Sequence, residues 1–215
     1  MTAPSAALYD VVAVGARCAG AATALLLARA GLRVAVVDRS RPGADTLSTH
    51  ALMRGAVLQL ARWGVLEAIV AAGTPAIRRT VFHYGDDAID VAIKPRDGLD
   101  ALYAPRRTVL DVALAGAAAA AGAELRYGAR VVDLERRDDG RVSGVVLEGG
   151  DGRRELLRAG LVVGADGRRS TVARLAGAPL VTECRNTSGV IYGYFVGTGF
   201  DANHWYYRPG VGAGA

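Results

Sequence analysis

The chain is 215 residues long, enough for one large domain or one domain plus part of a second. With 51% hydrophobic and 22% charged residues it can bury a real core, which excludes a disordered or fibrous chain; no apolar run approaches the ~20 residues that cross a bilayer, which excludes stable membrane insertion. The net charge of +5 comes from arginines interspersed with acids, as in Glu135-Arg136-Arg137-Asp138-Asp139, so the one-sided basic stripe of a nucleic-acid binder is missing.

In chain order, Tyr9 to Val14 is a short β-branched run that predicts a buried strand. A glycine-rich turn follows, then helix formers from Ala19 to Ala30 that Gly31 can close in a left-handed cap, then a second buried strand over Leu32 to Asp38. Strand, turn, helix and strand in this order predict a right-handed βαβ unit with parallel strands. Arg39 to His50 is a polar loop. Leu52, Met53, Ala56, Val57, Leu60 and Ala61 share one face of a predicted helix over Ala51 to Trp63, ended by Gly64. Arg79 to Ile93 switches to β-type runs around Gly85-Asp86-Asp87, a hairpin outside the parallel sheet. A second strong helix spans Val109 to Ala121, with Thr108 as the expected N-cap, Asp111 three residues on in a capping-box pattern, and Gly122 at its end.

Glu124 to Tyr127 reads as a third parallel strand. Arg130 to Glu135, Arg141 to Glu148 and Arg153 to Arg158, split by Asp-Asp-Gly and Gly-Gly-Asp-Gly turns, predict an antiparallel three-stranded meander. Leu161 to Val163 is a further short strand running into Gly164-Ala165-Asp166-Gly167, after which Ser170 or Thr171 caps a helix through Ala176. Thr187 to Val196 and His204 to Arg208 are β-like and aromatic. The fold class is therefore α/β: a doubly wound, Rossmann-like parallel sheet with a three-stranded meander and part of a second antiparallel sheet. The expected division is 1–78 with 101–186 as a discontinuous nucleotide-binding domain, and 79–100 with 187–215 as an incomplete substrate-binding sheet.

Gly15-Ala16-Arg17-Cys18-Ala19-Gly20 lies between the first strand and first helix, where a dinucleotide fingerprint belongs. Gly15 permits the tight turn, Gly20 lets helix and strand pack closely, the helix N-terminus offers N–H groups to a diphosphate, and Asp38, next to Arg39, can bond ribose hydroxyls. Arg17 stands where a second glycine usually removes a Cβ; its guanidinium can offset the lost approach by pairing with phosphate. A βαβ unit with a glycine turn and no ligand is the alternative. A P-loop is excluded, because Ala21-Ala22 follow Gly20 where Lys and Ser/Thr would be needed.

Val11 to Ser40, the Arg107-Thr108-Val109-Leu110 step, the meander and Gly164-Ala165-Asp166-Gly167-Arg168-Arg169-Ser170 together resemble the FAD-dependent aromatic hydroxylases and geranylgeranyl-reductase-like flavoproteins, over nearly everything before Pro179. The resemblance implies FAD as cofactor with NADPH or NADH as electron donor, Asp38 on the adenosine ribose, Arg107 near the FAD phosphates, and Asp166-Gly167 in FAD and nicotinamide handling. It implies an NAD(P)H-dependent flavin monooxygenase hydroxylating a small organic substrate, with a flavin-dependent double-bond reductase or a catalytically silent nucleotide-binding fragment as alternatives. A direct NAD(P) dehydrogenase is disfavoured by the meander and the Asp-Gly segment. Two departures stand out: Ala173, with Arg174 one later, occupies the place where the family often has Arg, and the family's later Gly-Asp segment is absent, so the chain reads as shortened at its carboxyl end.

Because a flavin hydroxylase keeps the reacting oxygen on its cofactor, no protein nucleophile is required, and the sequence offers none. His50, in the polar loop, is a candidate acid–base group, with capping of the next helix as the equal alternative. His83, His204, Trp63, Trp205, Tyr206 and Tyr207 read as packing residues. Cys18 and Cys184 make neither metal-ligand spacing nor a disulfide framework, and Met1 to Asp10 has no signal-peptide pattern, which together predict a cytoplasmic protein without a metal centre.

Overall fold

The computed structural model describes residues 8–48, 50–184, 189–208, 210 and 212–214. In chain order its elements are β1 (Leu8–Val14), α1 (Cys18–Arg29), β2 (Val34–Asp38), α2 (Arg54–Arg62), α3 (Leu66–Ala71), β3 (Ala76–Ile77), β4 (Arg79–Tyr84), β5 (Asp87–Ala92) and β6 (Leu102–Tyr103). Then come α4 (Arg107–Ala120), β7 (Glu124–Tyr127), β8 (Ala129–Arg136), β9 (Val142–Gly149), β10 (Arg154–Gly164), α5 (Thr171–Ala176), β11 (Asn203–Arg208) and β12 (Gly212–Gly214). They form two compact units, Met1–Ser48 with Arg106–Pro179 and Thr49–Pro105 with Leu180–Ala215. This division places α2 and α3 with the antiparallel sheet, whereas the sequence-based boundaries put residues 49–78 with the nucleotide-binding part.

The first unit is built on a six-stranded sheet in the order β7-β2-β1-β10-β9-β8. β1 pairs parallel with β2 from Val11↔Val34 to Val14↔Val37, and β2 pairs parallel with β7. Val11 to Val14 and Val34 to Val37 are all buried, as strands covered on both faces must be. α1 and α4 pack on each other, burying Ala21, Ala24, Leu25, Leu110, Leu114 and Ala118. The small side chains let the two helix backbones come close. A separate cluster joins Tyr9, Val12, Val14, Ala35 and Val37 to Val131, Leu134, Val145, Leu147, Leu157 and Val172, so the meander and α5 close a core with the parallel strands. Burial of each large aliphatic side chain there contributes about 1.5–3 kcal/mol.

The expected α/β sheet and meander are therefore present, with one change in connectivity. The runs Arg153 to Arg158 and Leu161 to Val163 are a single eleven-residue strand. β10 pairs antiparallel with β9 over Arg154 to Arg158, then parallel with β1 from Arg158 to Gly164. Ala159-Gly160 looks like a break in the apolar pattern, yet β-pairing on alternate sides holds the backbone extended through it.

Three local expectations are corrected. α4 starts at Arg107, and its N-cap is Arg106 with no side-chain cap bond, so Thr108 does not cap it. No capping box forms, because the Asp111 carboxylate accepts from Cys18 and from the Arg107 guanidinium instead of from a backbone N–H at the start of α4. Residues 189–196 form no strand; Ile191, Phe195 and Val196 are more than 80% exposed, and a β-prone sequence without a sheet edge to pair with stays irregular. Thr187, where that run was expected to begin, lies outside the described residues, as do residues 1–7. α3, β3 and β6 carried too few periodic positions to be predicted.

The second unit holds a four-stranded sheet, β12-β11-β4-β5, and the two-stranded pair β3-β6. β4 and β5 form the expected hairpin, in register from Arg79↔Ala92 to Tyr84↔Asp87. β11 adds parallel to β4, which stacks His83 on Tyr206 at 4.3 Å and Tyr84 on Tyr207 at 4.9 Å. These aromatic residues do pack along the sheet. Among the described residues no helix is long and apolar enough to cross a membrane.

At the opposite end of the parallel sheet from the glycine turn, the Tyr9 hydroxyl and Arg126 both meet Glu124, and Arg126 also pairs with Glu155 at 2.7 Å. The Tyr9 hydrogen bond, assisted by Arg126 and opposed by partial burial, holds Glu124 below the usual carboxylate range. A lowered folded-state value means stability that is present above the unfolded value of about 4.3 and lost as pH falls through the folded one. Glu124→Gln should therefore cost about 1 kcal/mol at pH 7, the side chain being half exposed and screened. Urea unfolding across pH should show the wild-type advantage disappearing below about pH 4.

Candidate functional site

The C-terminal ends of β1, β2 and β10 meet at one point, the place where open α/β sheets bind ligands. Gly15, directly after β1, has φ of +106°, and a Cβ there would sit 2.4 Å from the Ala165 carbonyl oxygen. A Cβ on Gly20 would lie 1.8 Å from the Gly15 oxygen and 3.3 Å from the Ala165 Cβ. Both glycines are thus demanded by contact between the turn, α1 and the loop after β10. Ala165 in turn donates its N–H to Val14 at 2.8 Å.

Asp38, at the end of β2, ties this turn to the second strand. Its Oδ2 accepts the Ala16 N–H at 2.8 Å and its Oδ1 the Ser40 N–H at 2.7 Å. A carboxylate has about four lone-pair sites, so Asp38 retains acceptor capacity toward a ligand. Arg17 is the N-cap of α1 in an extended conformation, without a side-chain cap bond. By helix geometry the N–H groups of Ala19 and Gly20 have no intrahelical acceptor, and the positive end of the helix dipole lies there.

The Cys18 N–H is taken by Asp111, a residue that sequence reasoning assigned only to a capping box. Asp111 Oδ1 accepts the Cys18 N–H and thiol, each at 3.1 Å, and Arg107 Nε and Nη2 at 3.2 and 2.9 Å. Burial, together with this carboxylate, pushes the Cys18 thiol up to about 11, so Cys18 is a protonated donor and a packing residue rather than a nucleophile. Asp111 Oδ2 is buried and has no hydrogen-bond partner among the described residues. The Arg-x-x-x-Asp spacing on one helix face was the signal available in the sequence.

Ala16, Arg17, Asp38, Ser40, Arg41, Gly43, Ala44, Asp111 and Tyr127 line one shallow, open hollow. Burial, with the charges of Asp38 and Asp111 behind it, raises the Tyr127 phenol above its usual value and keeps it protonated. Of the expected cofactor residues, Gly15, Ala16, Arg17, Cys18, Ala19, Gly20, Asp38 and Arg107 come together around this hollow and the α1 N-terminus. Arg39 is exposed and is not part of its lining. Asp166 is engaged locally: Oδ1 accepts the Ser170 hydroxyl, and Oδ2 the N–H groups of Thr171 and Val172 at 2.6 and 3.2 Å, at the start of α5. Gly167 has φ of +84° with open space around it. His50, in the second unit, has φ of +59°, and its Nε2 lies 2.6 Å from the Tyr194 hydroxyl.

These features fit a dinucleotide carrying a diphosphate: a helix N-terminus with free N–H groups, Arg17 at its N-cap and the Arg107 guanidinium joined to it through Asp111, and two carboxylates with unused acceptor sites. A family model described as FAD binding domain matches residues 8–206. Aklavinone 12-hydroxylase RdmE of Streptomyces purpurascens is 35% identical over 188 residues, covering 78% of this chain and 34% of that protein. Menaquinone reductase of Mycolicibacterium smegmatis is 35% identical over 170 residues, covering 78% of this chain and 40% of that protein. The chain thus spans well under half the length of these relatives. The solved structure of a geranylgeranyl bacteriochlorophyll reductase-like protein from Thermoplasma acidophilum matches with a TM-score of 0.74 at 20% identity, over 95% of this chain and 51% of that one, a likeness of fold.

Gly20→Ala should destabilise the protein by roughly 3 kcal/mol, because the added methyl meets backbone that cannot yield without moving β1 from α1. Gly116→Ala, in the interior of α4 with nothing near the added Cβ, should stabilise by about 0.5–1 kcal/mol. Urea unfolding of the two variants checks both signs.

Proposed function

The chain belongs to the FAD-binding-domain family, and from that premise we propose that it carries the nucleotide-binding part of an NAD(P)H-dependent flavin monooxygenase that hydroxylates a small organic substrate. The observation that carries this reading is the meeting of the Gly15–Gly20 turn, Asp38 and Arg107 at the N-terminus of α1. FAD, when bound, supplies two-electron chemistry that carries reducing equivalents from NADPH or NADH to oxygen or to a substrate double bond. The protein's share is binding, orientation and electrostatics.

In this reading the free N–H groups of Ala19 and Gly20 and the guanidinium groups of Arg17 and Arg107 receive the diphosphate. Asp38, already oriented by the Ala16 and Ser40 N–H groups, accepts ribose hydroxyls. Asp166 and Gly167 act by shaping the loop whose Ala165 carbonyl meets Gly15. The antiparallel sheet of the second unit is assigned to substrate binding. His50, held at Nε2 by the Tyr194 hydroxyl, is the candidate group for moving a proton to or from substrate. The two cysteines are both free, which supports a cytoplasmic setting.

A flavin-dependent double-bond reductase is the second reading, favoured by the equal identity of a menaquinone reductase and an aklavinone hydroxylase to this chain. The test begins with the visible spectrum of the purified chain after FAD is added and excess removed. Bound oxidised flavin at about one per chain supports the site; a colourless product counts against it. NADPH-dependent oxygen uptake that rises with an aromatic substrate supports hydroxylation, whereas anaerobic NADPH oxidation coupled to loss of a substrate double bond supports reduction.

Asp38→Ala should weaken FAD binding by about 1–3 kcal/mol, through loss of hydrogen bonds to a charged acceptor. An unchanged flavin dissociation constant would defeat the ribose assignment.

A further inference from the structure

The three histidines of the chain all lie in the second unit, and two of them touch. His83 on β4 and His204 on β11 are half-buried on one face of the four-stranded sheet, with Nε2 of the first 3.0 Å from Nδ1 of the second. Their ring centres are 5.3 Å apart with planes 18° from parallel, about as far apart as an N···N contact of 3.0 Å permits, so the two nitrogens meet end-on. That is the geometry of a hydrogen bond, in which one nitrogen carries the proton and the other offers its lone pair. Lone pairs aimed at one another do not converge on a metal, and among the described residues no group of three metal-ligating side chains is present. Aromatic rings hold the pair in place: Tyr206 stacks on His83 at 4.3 Å, and Phe200 lies 4.6 Å from His204.

Such a pair has room for one extra proton and no more. A first proton still leaves an N–H facing a lone pair and makes the bond charge-assisted. Asp201 favours that state: held below the usual carboxylate range chiefly by its hydrogen bond from Arg79, it also feels the charge of His204. A second proton sets N–H against N–H and brings two cations together. The other charged or titratable groups on this face are Arg79 on β4, Asp90 on β5, and Tyr206 and Arg208 on β11, while β12 brings only Gly212, Ala213 and Gly214. Asp90 and Asp201 both pair with Arg79, at 2.9 and 3.1 Å, so each carboxylate near the pair already has a cation.

The two rings bridge β4 and β11 where residues 203–207 run parallel to 80–84. We propose that His83 and His204 form a latch that counts protons: the pairing of β11 with β4 is kept with no or one extra proton on the two rings and is loosened by the second. The latch is a property of the second unit and does not depend on the nucleotide reading of the first.

The test is hydrogen exchange followed by mass spectrometry on the 215-residue chain at pH 7.5, 6 and 5, with protection expressed relative to the unstructured rate at each pH. An imidazole ordinarily titrates near pH 6.5, so when β11 opens at pH 5 both rings take a proton whereas the closed pair holds one, and opening is favoured as pH falls. Protection of residues 203–208 should therefore drop by roughly five- to tenfold between pH 6 and pH 5, relative to the β9–β10 segment of the first unit, which holds no histidine. His204→Phe keeps an aromatic ring beside Phe200 but cannot titrate, and its protection should be flat over that interval. Wild-type protection that is flat overturns the latch, as does a drop in His204→Phe as steep as in the wild type, which would assign the effect to the Arg79 ion pairs. Should His204→Phe fail to fold by circular dichroism, His83→Asn, polar and without a titrating ring, should show the same flat profile, and a steep one overturns the proposal.

Discussion

The first unit depends on one close approach of backbone. Gly15, Gly20 and Ala165 come from the end of β1, the first turn of α1 and the loop after β10, and they are packed so tightly that no Cβ fits on either glycine. Hydrogen bonds reinforce the same junction, with Gly15 donating to Val37 at 2.7 Å and Ala165 to Val14 at 2.8 Å. Three parallel strand ends are thus drawn to one place, and the helix N-terminus, Asp38 and Arg107 acquire their positions from it. Interiors packed this closely transmit small shifts, so the geometry of the hollow is set by contacts that lie beneath it.

Electrostatics are layered on this junction in a repeated form. Two of the helices in the first unit have a carboxylate from elsewhere at their first turn: Asp111 at α1 and Asp166 at α5. Asp166 spends both oxygens on its own loop and helix, and stabilises local structure. Asp111 spends one, and its charge is balanced by Arg107 at 2.9 Å in a nearly dry setting. Removing either partner of such a pair leaves an uncompensated buried charge, which ties the Arg107 side chain to its station whether or not an anion is near.

Much of this arrangement was legible in the sequence. Buried β-branched runs, a glycine turn and a helix closed at Gly31 predict β1, α1 and β2, since all their determinants are local. The Asp-Asp-Gly and Gly-Gly-Asp-Gly turns announce the meander equally well. What sequence could not supply were features created by partners distant along the chain. β10 is continuous because β9 and β1 pair with its successive halves. Residues 189–196 are irregular because β-propensity needs a neighbouring strand to act on. The fingerprint residues were recognised because their spacing is short-range, whereas Asp111 and Tyr127 join the hollow only through the packing of α4 and β7. Asp166 was recognised by resemblance, and its bonds to α5 became visible only in the fold.

The pairing of β10 on both sides also has a consequence for how the chain is made. β1 emerges first from the ribosome, but its second neighbour is not complete until Gly164 has been added. Throughout that interval Val11 to Val14 present an apolar strand with one edge unpaired, open to any other extended segment. Nascent chains of this architecture are therefore at greatest hazard of mispairing in mid-synthesis, and the arrival of β10 both finishes the sheet and ends that exposure.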